Sequence, residues 1–191
     1  MDLRVGDSKI VRGIVFDAFM KAFDQRGEEF YKAYNVDDLP AKSLMVDVGG
    51  LLTKLGYRTE VRKKILDYIS DEFSSYISYE KSPDRVNLTG DESLIETVSV
   101  KNMFDVPLVF NVSIEDRDNF MEIIYDKTED RYVNTLSMES VIDSGRETKF
   151  KFKLLNSKHY TGKDSILLVI IRSPDLDLLN VISKLPIHIS S

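Results

Sequence analysis

Two histidines, His159 and His188, would have to carry any imidazole chemistry in this chain of 191 residues, which has no cysteine. Apolar residues alternate with His188 in the segment LPIHIS, and this alternation predicts a strand whose histidine faces outward. His159 lies in a predicted loop, and no serine has the nucleophile-elbow context that would complete a triad. We therefore predict no catalytic residues and no enzymatic activity.

Acidic residues form three groups in predicted loops, where their carboxylates could bind calcium, which takes about six to eight oxygen ligands. The groups are Glu115, Asp116 and Asp118; Asp126, Glu129 and Asp130; and Asp175 and Asp177. No segment has the spacing of a helix-loop-helix calcium loop, and no glycine-rich phosphate loop occurs. We interpret the groups as solvated loop tips and predict no metal and no cofactor, with a calcium- or glycan-binding sandwich as an alternative.

Residues 51–69, LLTKLGYRTEVRKKILDYI, resemble a helix-turn-helix segment. In that motif the second helix enters the major groove of DNA, so the basic residues near its start would contact phosphates and bases. These residues are Arg58, Arg62, Lys63 and Lys64. Helix corners of this kind also occur in many helical bundles, and the net charge of -6 does not favour DNA. A DNA-binding transcriptional regulator is therefore the second hypothesis.

Lysines alternate with apolar residues from Lys149 to Leu154, which predicts a strand with one buried face and one lysine face. Such a row of lysines can meet an acidic partner or an anionic surface. Lysines also protect exposed strands from edge-to-edge aggregation, and we prefer this second interpretation.

The elements that position these residues form two parts, a helical N-terminal part and a C-terminal part rich in β-strands. Apolar spacing predicts about four helices in residues 1–80: Ser8 to Arg26, Glu28 to Tyr34, Ala41 to Leu55, and a last helix from Thr59 to about Tyr76. Ser8 or Asp7 can cap the first helix, and Gly27 is placed to end it in a left-handed conformation. Residues 81–92 are polar and rich in turn formers, which predicts a linker.

In residues 93–191, short apolar segments separated by turn residues predict about seven strands at intervals of about ten residues. They are Thr97 to Lys101, Leu108 to Glu115, Met121 to Tyr125, Tyr132 to Leu136, Glu147 to Leu155, Ile166 to Arg172 and Leu185 to Ser190. Residues 174–182 are compatible with a short helix or with a loop. The predicted fold class is α+β in two domains, a helical bundle followed by an antiparallel sandwich.

The segments VSVKNMFDVPLVFNVSI (98–114) and IDSGRETKFKFKL (142–154), with Tyr160-Thr161-Gly162, resemble immunoglobulin-like or fibronectin-III-like sandwiches. The resemblance concerns the second half of the chain and implies a fold used by adhesion and accessory modules. We therefore predict a non-enzymatic protein-interaction or accessory protein that can also form a homo-oligomer.

The composition agrees with a globular protein, since 42% of the residues are hydrophobic and 30% are charged. The first residues, MDLRVGDSKIVRG, lack the apolar core of a signal peptide, and no apolar stretch is long enough to span a membrane. These features predict a cytoplasmic location.

Overall fold

The computed structural model describes residues 7–33, 50, 52–54, 56–89, 92–118, 122–125, 135–156 and 162–190. Three α-helices have both bounds within these residues: α1 (Lys9–Phe23), α2 (Gly27–Ala33) and α3 (Thr59–Ser75). Residues 50 and 52–54 are also helical. Nine strands form two sheets. No helix within the described residues is long and apolar enough to cross a membrane.

The first sheet, here sheet A, contains four strands that are all antiparallel. In spatial order they are β1 (Ile77–Ser82), β3 (Ser93–Asn102), β7 (Glu147–Leu155) and β5 (Glu122–Tyr125). The second sheet, sheet B, contains five strands, of which β2 and β9 pair in parallel. Its order is β2 (Val86–Thr89), β9 (Leu176–Ser190), β8 (Lys163–Ser173), β4 (Leu108–Asp116) and β6 (Thr135–Ile142).

The buried faces of the two sheets share one hydrophobic core. In β4 every second residue is buried, and Phe110 has no exposed surface. In β7 Phe152 and Leu154 are likewise buried, so the two faces predicted for this strand are confirmed. Strict alternation puts one set of side chains in the core and the other on the surface, because successive residues of a strand point to opposite sides of its sheet.

The predicted four-helix bundle is wrong, and the predicted antiparallel sandwich of about seven strands has nine strands among the described residues, with one parallel pair. The third predicted helix, Ala41 to Leu55, lies mostly outside the described residues, and the β-region has two more strands than predicted. The predicted apolar faces of the first and last helices are buried, but residues of the sandwich cover part of them. Phe73 of α3 packs edge-on against Phe104 with ring centroids 5.8 Å apart, and Ser70 Oγ donates to Leu178 O of β9 at 2.8 Å.

The two unpredicted strands lie in or beside the predicted linker. β1 follows α3 directly and pairs with β3, whereas β2 lies at residues 86–89 and pairs with β9. Residues 174–182 form neither the short helix nor the loop considered for them, because β9 begins at Leu176 and continues to Ser190. The division of the chain into two domains with a linker at 81–92 stays a prediction.

Ser8 caps α1, since its Oγ accepts the Val11 N–H at 3.0 Å. The predicted role of Gly27 is wrong, because this residue has φ −58° and the positive φ of 50° belongs to Asp24. Gly27 is instead a position of close approach. A Cβ atom there would lie 2.5 Å from Met20 Cα, so no larger residue fits without a shift of the helix backbone.

Candidate functional site

The lysines of β7 form a row on the outer face of sheet A. Lys149, Lys151 and Lys153 project from this face about 7 Å apart along the strand, because outward side chains recur at every second residue. On β3 the residues directly opposite them are uncharged: Ser99, Thr97 and Ile95. No ion pair holds these three lysines within the described residues. We call these three residues the lysine row.

Two neighbours of the lysine row bear on what it can do. Lys101 of β3 lies opposite Glu147 on the same face, so this lysine has a carboxylate at the next strand. Ile95, opposite Lys153, is 54% exposed and offers an apolar contact beside the charges. Lys153 has a paired strand on both sides. Protection of a sheet edge therefore does not account for this lysine.

The basic residues predicted for DNA contact divide into two sets. Arg62 and Lys63 line a groove of about 430 Å³ between α3 and β9, together with Asp67. Arg62 is held within the protein, because its Nη1 donates to Thr53 Oγ1 at 2.7 Å and its Nη2 to Thr59 Oγ1 at 3.3 Å. The other two, Arg58 immediately before α3 and Lys64 within it, are exposed and do not line this groove. The DNA-binding alternative stays a prediction.

His188 lies 2.8 Å from Asp164, measured from Nδ1 to Oδ1. The same carboxylate lies 3.9 Å from Arg85, and the His188 side chain is 39% exposed. His188 and Asp164 thus form a side-chain hydrogen bond at the surface between the neighbouring strands β9 and β8. His159 lies outside the described residues.

Carboxylates of the predicted acidic loops bind protein donors. Asp175 Oδ2 accepts the Val109 N–H at 2.7 Å, and Asp116 Oδ1 accepts the Asp118 N–H at 3.1 Å. Ser165 Oγ donates to Asp118 Oδ2 at 3.1 Å. Within the described residues no group of three or more His, Asp or Glu side chains can hold a metal ion. The group Asp126, Glu129 and Asp130 lies outside the described residues.

Two features were not anticipated from the sequence. The first is a groove of about 630 Å³ on the outer face of sheet B, crossed by Glu139, Asn111, Arg172 and Asn180. The second is Glu96, a buried carboxylate of β3 that faces the core. The alternation of β3 is visible in the sequence and places position 96 on the same face as Val98 and Val100. This signal would have identified Glu96.

No protein family model and no curated protein sequence matches the chain. Among solved structures, the chain is similar to α2-macroglobulin of Salmonella reacted with methylamine, with 14% identity and a TM-score of 0.45 over 60% of this chain and 7% of that one. It is similar to CaCohA2 of Clostridium acetobutylicum, with 10% identity and a TM-score of 0.44 over 60% and 90% of the two chains. AvmM, which catalyzes macrocyclization in alchivemycin A biosynthesis, has 8% identity and a TM-score of 0.41 over 61% and 89%.

These structures resemble the chain in fold alone, and the chain spans less than a tenth of the macroglobulin. The two sheets with their shared core confirm the predicted resemblance to immunoglobulin-like sandwiches at the level of the fold. The chain is thus a β-sandwich with three described helices packed beside it.

Proposed function

We propose that the chain is a non-enzymatic interaction module whose sheet A face binds an acidic segment of a protein partner. The observation that carries the proposal is the lysine row, which has no acidic residue opposite it on β3 and no ion pair within the described residues. The three lysines lie in line on one strand although the chain has a net charge of -6, and the carboxylates of the same face, Glu147, Glu80 and Glu122, lie at its borders. Local positive potential of this kind attracts a negatively charged segment and orients it during encounter.

The spacing of the row defines the chemistry of the partner segment. An extended peptide also repeats its side chains at about 7 Å, so acidic residues at every second position would face Lys149, Lys151 and Lys153 in turn. Exposed ion pairs contribute only about 0 to 1 kcal/mol each, which predicts a weak and salt-sensitive complex. Ile95 adds an apolar contact at the end of the row, where a hydrophobic residue of the partner would be desolvated.

The experiment is a fluorescence-anisotropy titration with a labelled peptide in which glutamate alternates with valine. We expect binding that weakens with added salt and is lost in a variant with serine at positions 149, 151 and 153. A matched control replaces Arg58, Lys63 and Lys64 by serine, which removes the same charge from another surface, and we expect it to bind the peptide normally. Equal losses in the two variants would show that only the net charge matters and would refute the proposed site.

The same two variants test the DNA-binding alternative. Random duplex DNA should bind the wild-type protein at about 10⁻⁴ M or more weakly at physiological salt, as expected for non-specific contacts of an acidic chain. Submicromolar DNA binding that is lost in the variant at positions 58, 63 and 64 would favour the regulator instead. A cytoplasmic location forms part of the proposal.

A further inference from the structure

Four polar side chains form one row across the outer face of sheet B. Glu139 of β6 is opposite Asn111 of β4, Asn111 is opposite Arg172 of β8, and Arg172 is opposite Asn180 of β9. Neighbouring strands lie about 4.8 Å apart, so Glu139 and Arg172 are separated by about 10 Å of backbone. We call these four residues the polar row. No ion pair joins its two charged members within the described residues.

The hydrogen bonds within the polar row leave several of its donors and acceptors able to bind a ligand. Asn111 Oδ1 accepts the Ser113 and Ser137 hydroxyls, both at 3.0 Å, so the two N–H donors of its amide have no partner in the described residues. Arg172 Nε donates to Asn180 Oδ1 at 3.1 Å, which fixes the guanidinium while its terminal nitrogens bind no described residue. The Glu139 carboxylate forms no hydrogen bond or ion pair with the described residues.

Eight of the ten residues that line the groove around the row are polar, and the other two are Pro174 and Leu179. The groove's volume of about 630 Å³ lies within the range of small-molecule sites, which is roughly 300 to 1,000 Å³. The wall at the turn between β8 and β9 includes Pro174 and Asp177, and the lining contains no aromatic side chain. Drug-like ligands bury their surface against apolar walls, whereas this lining favours a ligand that is itself covered with polar groups.

We propose that the polar row binds a sugar acid, a carbohydrate with one carboxylate and several hydroxyl groups. The free edge of the Arg172 guanidinium can bind the carboxylate through two parallel hydrogen bonds. The Asn111 amide can donate to one hydroxyl oxygen, and the Glu139 carboxylate can accept from another hydroxyl. Arg172, Asn111 and Glu139 each thereby receive a complementary group of the ligand, while Asn180 holds Arg172 in place.

Three simpler ligands fit less well. A plain carboxylate such as acetate would engage Arg172 and leave the amide of Asn111 and the carboxylate of Glu139 without partners. A phosphate would bring two negative charges into a groove that already holds Glu139 and Asp177. A neutral sugar would leave Arg172 without an anion. One cation, one carboxylate and two amides in the row, with Asp177 at the wall, therefore favour a ligand that has a single negative charge and many hydroxyl groups.

Isothermal titration calorimetry with glucuronate, glucose and acetate tests the proposal on the intact chain. We expect glucuronate to bind in the millimolar range and at least about tenfold more tightly than glucose or acetate, because only glucuronate engages the whole row. Arg172→Gln should weaken glucuronate binding about tenfold or more, and Glu139→Gln should weaken it by a smaller factor. Arg146→Gln, at an exposed arginine between β6 and β7, removes the same charge and should have no effect.

The controls separate this site from the one on sheet A. The variant with serine at positions 149, 151 and 153 should bind glucuronate as the wild type does, because those residues project from the other sheet. Absence of glucuronate binding at about 10 mM would overturn the proposal. So would equal binding of acetate, equal binding of glucose, or unchanged affinity in a folded Arg172→Gln variant.

Discussion

Glu96 is a carboxylate enclosed in the core of the sandwich, and its ionisation should control stability near neutral pH. The residue is 1% exposed, and neither carboxylate oxygen has a hydrogen-bond partner among the described residues. Its neighbour directly across on β7 is Phe152, which is fully buried. Burial raises the pKa of Glu96 from 4.5 to about 7, because the charged form loses its hydration without gaining a compensating donor.

The direction of the effect follows from the raised pKa. Below about pH 4.5 the carboxyl is protonated in both the folded and the unfolded chain, and no free energy is lost. As the pH rises from 4.5 to 7 the unfolded chain releases its proton first, so the free energy of unfolding decreases. Above pH 7 the decrease in the free energy of unfolding is complete, and it amounts to about 3 kcal/mol for a pKa shift of this size. Between about pH 5 and pH 8 the change is about 2 to 3 kcal/mol.

Glu96→Gln removes the titration and keeps the shape of the side chain. We expect the variant to gain about 2 to 3 kcal/mol relative to the wild type when the pH is raised from about 5 to about 8. The measurement is urea unfolding of both proteins at the two pH values, and the comparison at matched pH cancels the other titrating groups. Glu80→Gln, at an exposed position of β1, is the control and should show the same difference at both values. A pH-independent difference for Glu96→Gln would refute the argument.

Three further predictions concern the core and the domain division. Phe110→Ala should lower the free energy of unfolding by about 3 to 5 kcal/mol because this side chain is fully buried. Asn111→Ala, on the other face of the strand, should lower it far less. Equal shifts of the urea midpoint in the two variants would contradict this assignment of the faces. Asn102→Ala should cost about 2 to 4 kcal/mol in the same assay, because its amide donates to Val106 O and Ile142 O and accepts the Phe104 N–H inside the core. Limited proteolysis tests the two-domain division: a first cut in 81–92 that leaves a stable fragment beginning near Leu94 would support it, but we expect resistance there because Val86 and Leu88 of β2 are buried and both β1 and β2 are paired.

Elements with a strong local period could be predicted from the sequence. Helix α1 and strand β4 show their buried faces directly, since a helix repeats at 3.6 residues and a strand at two. The alternation of lysine and phenylalanine in β7 also located its two faces correctly. These predictions succeeded because each pattern depends only on the element's own residues. Such a pattern appears whenever one face of the element is buried, whichever residues cover that face.

Elements that depend on distant partners could not be predicted in the same way. β2 is four residues long, and its parallel partner β9 lies about a hundred residues later, so no local pattern distinguishes it from a linker. β9 contains Pro186 and several polar residues, which obscured the strand from Leu176 onward. The helical bundle was over-predicted for a related reason. Periodicity shows that α3 has a buried face, but it does not show that Phe104 and β9 cover part of it.

The polar row shows why a site can be absent from any single stretch of sequence. Glu139, Asn111, Arg172 and Asn180 belong to four strands, and only the registers of three strand pairs place them side by side. A shift of one residue in any of these pairs would move one member to the opposite face of the sheet. The core residues that fix each register, such as Phe110 beside Asn111, therefore also determine whether the row exists. Substitutions that disturb the register in the core should remove ligand binding on the surface, even though they contact no ligand.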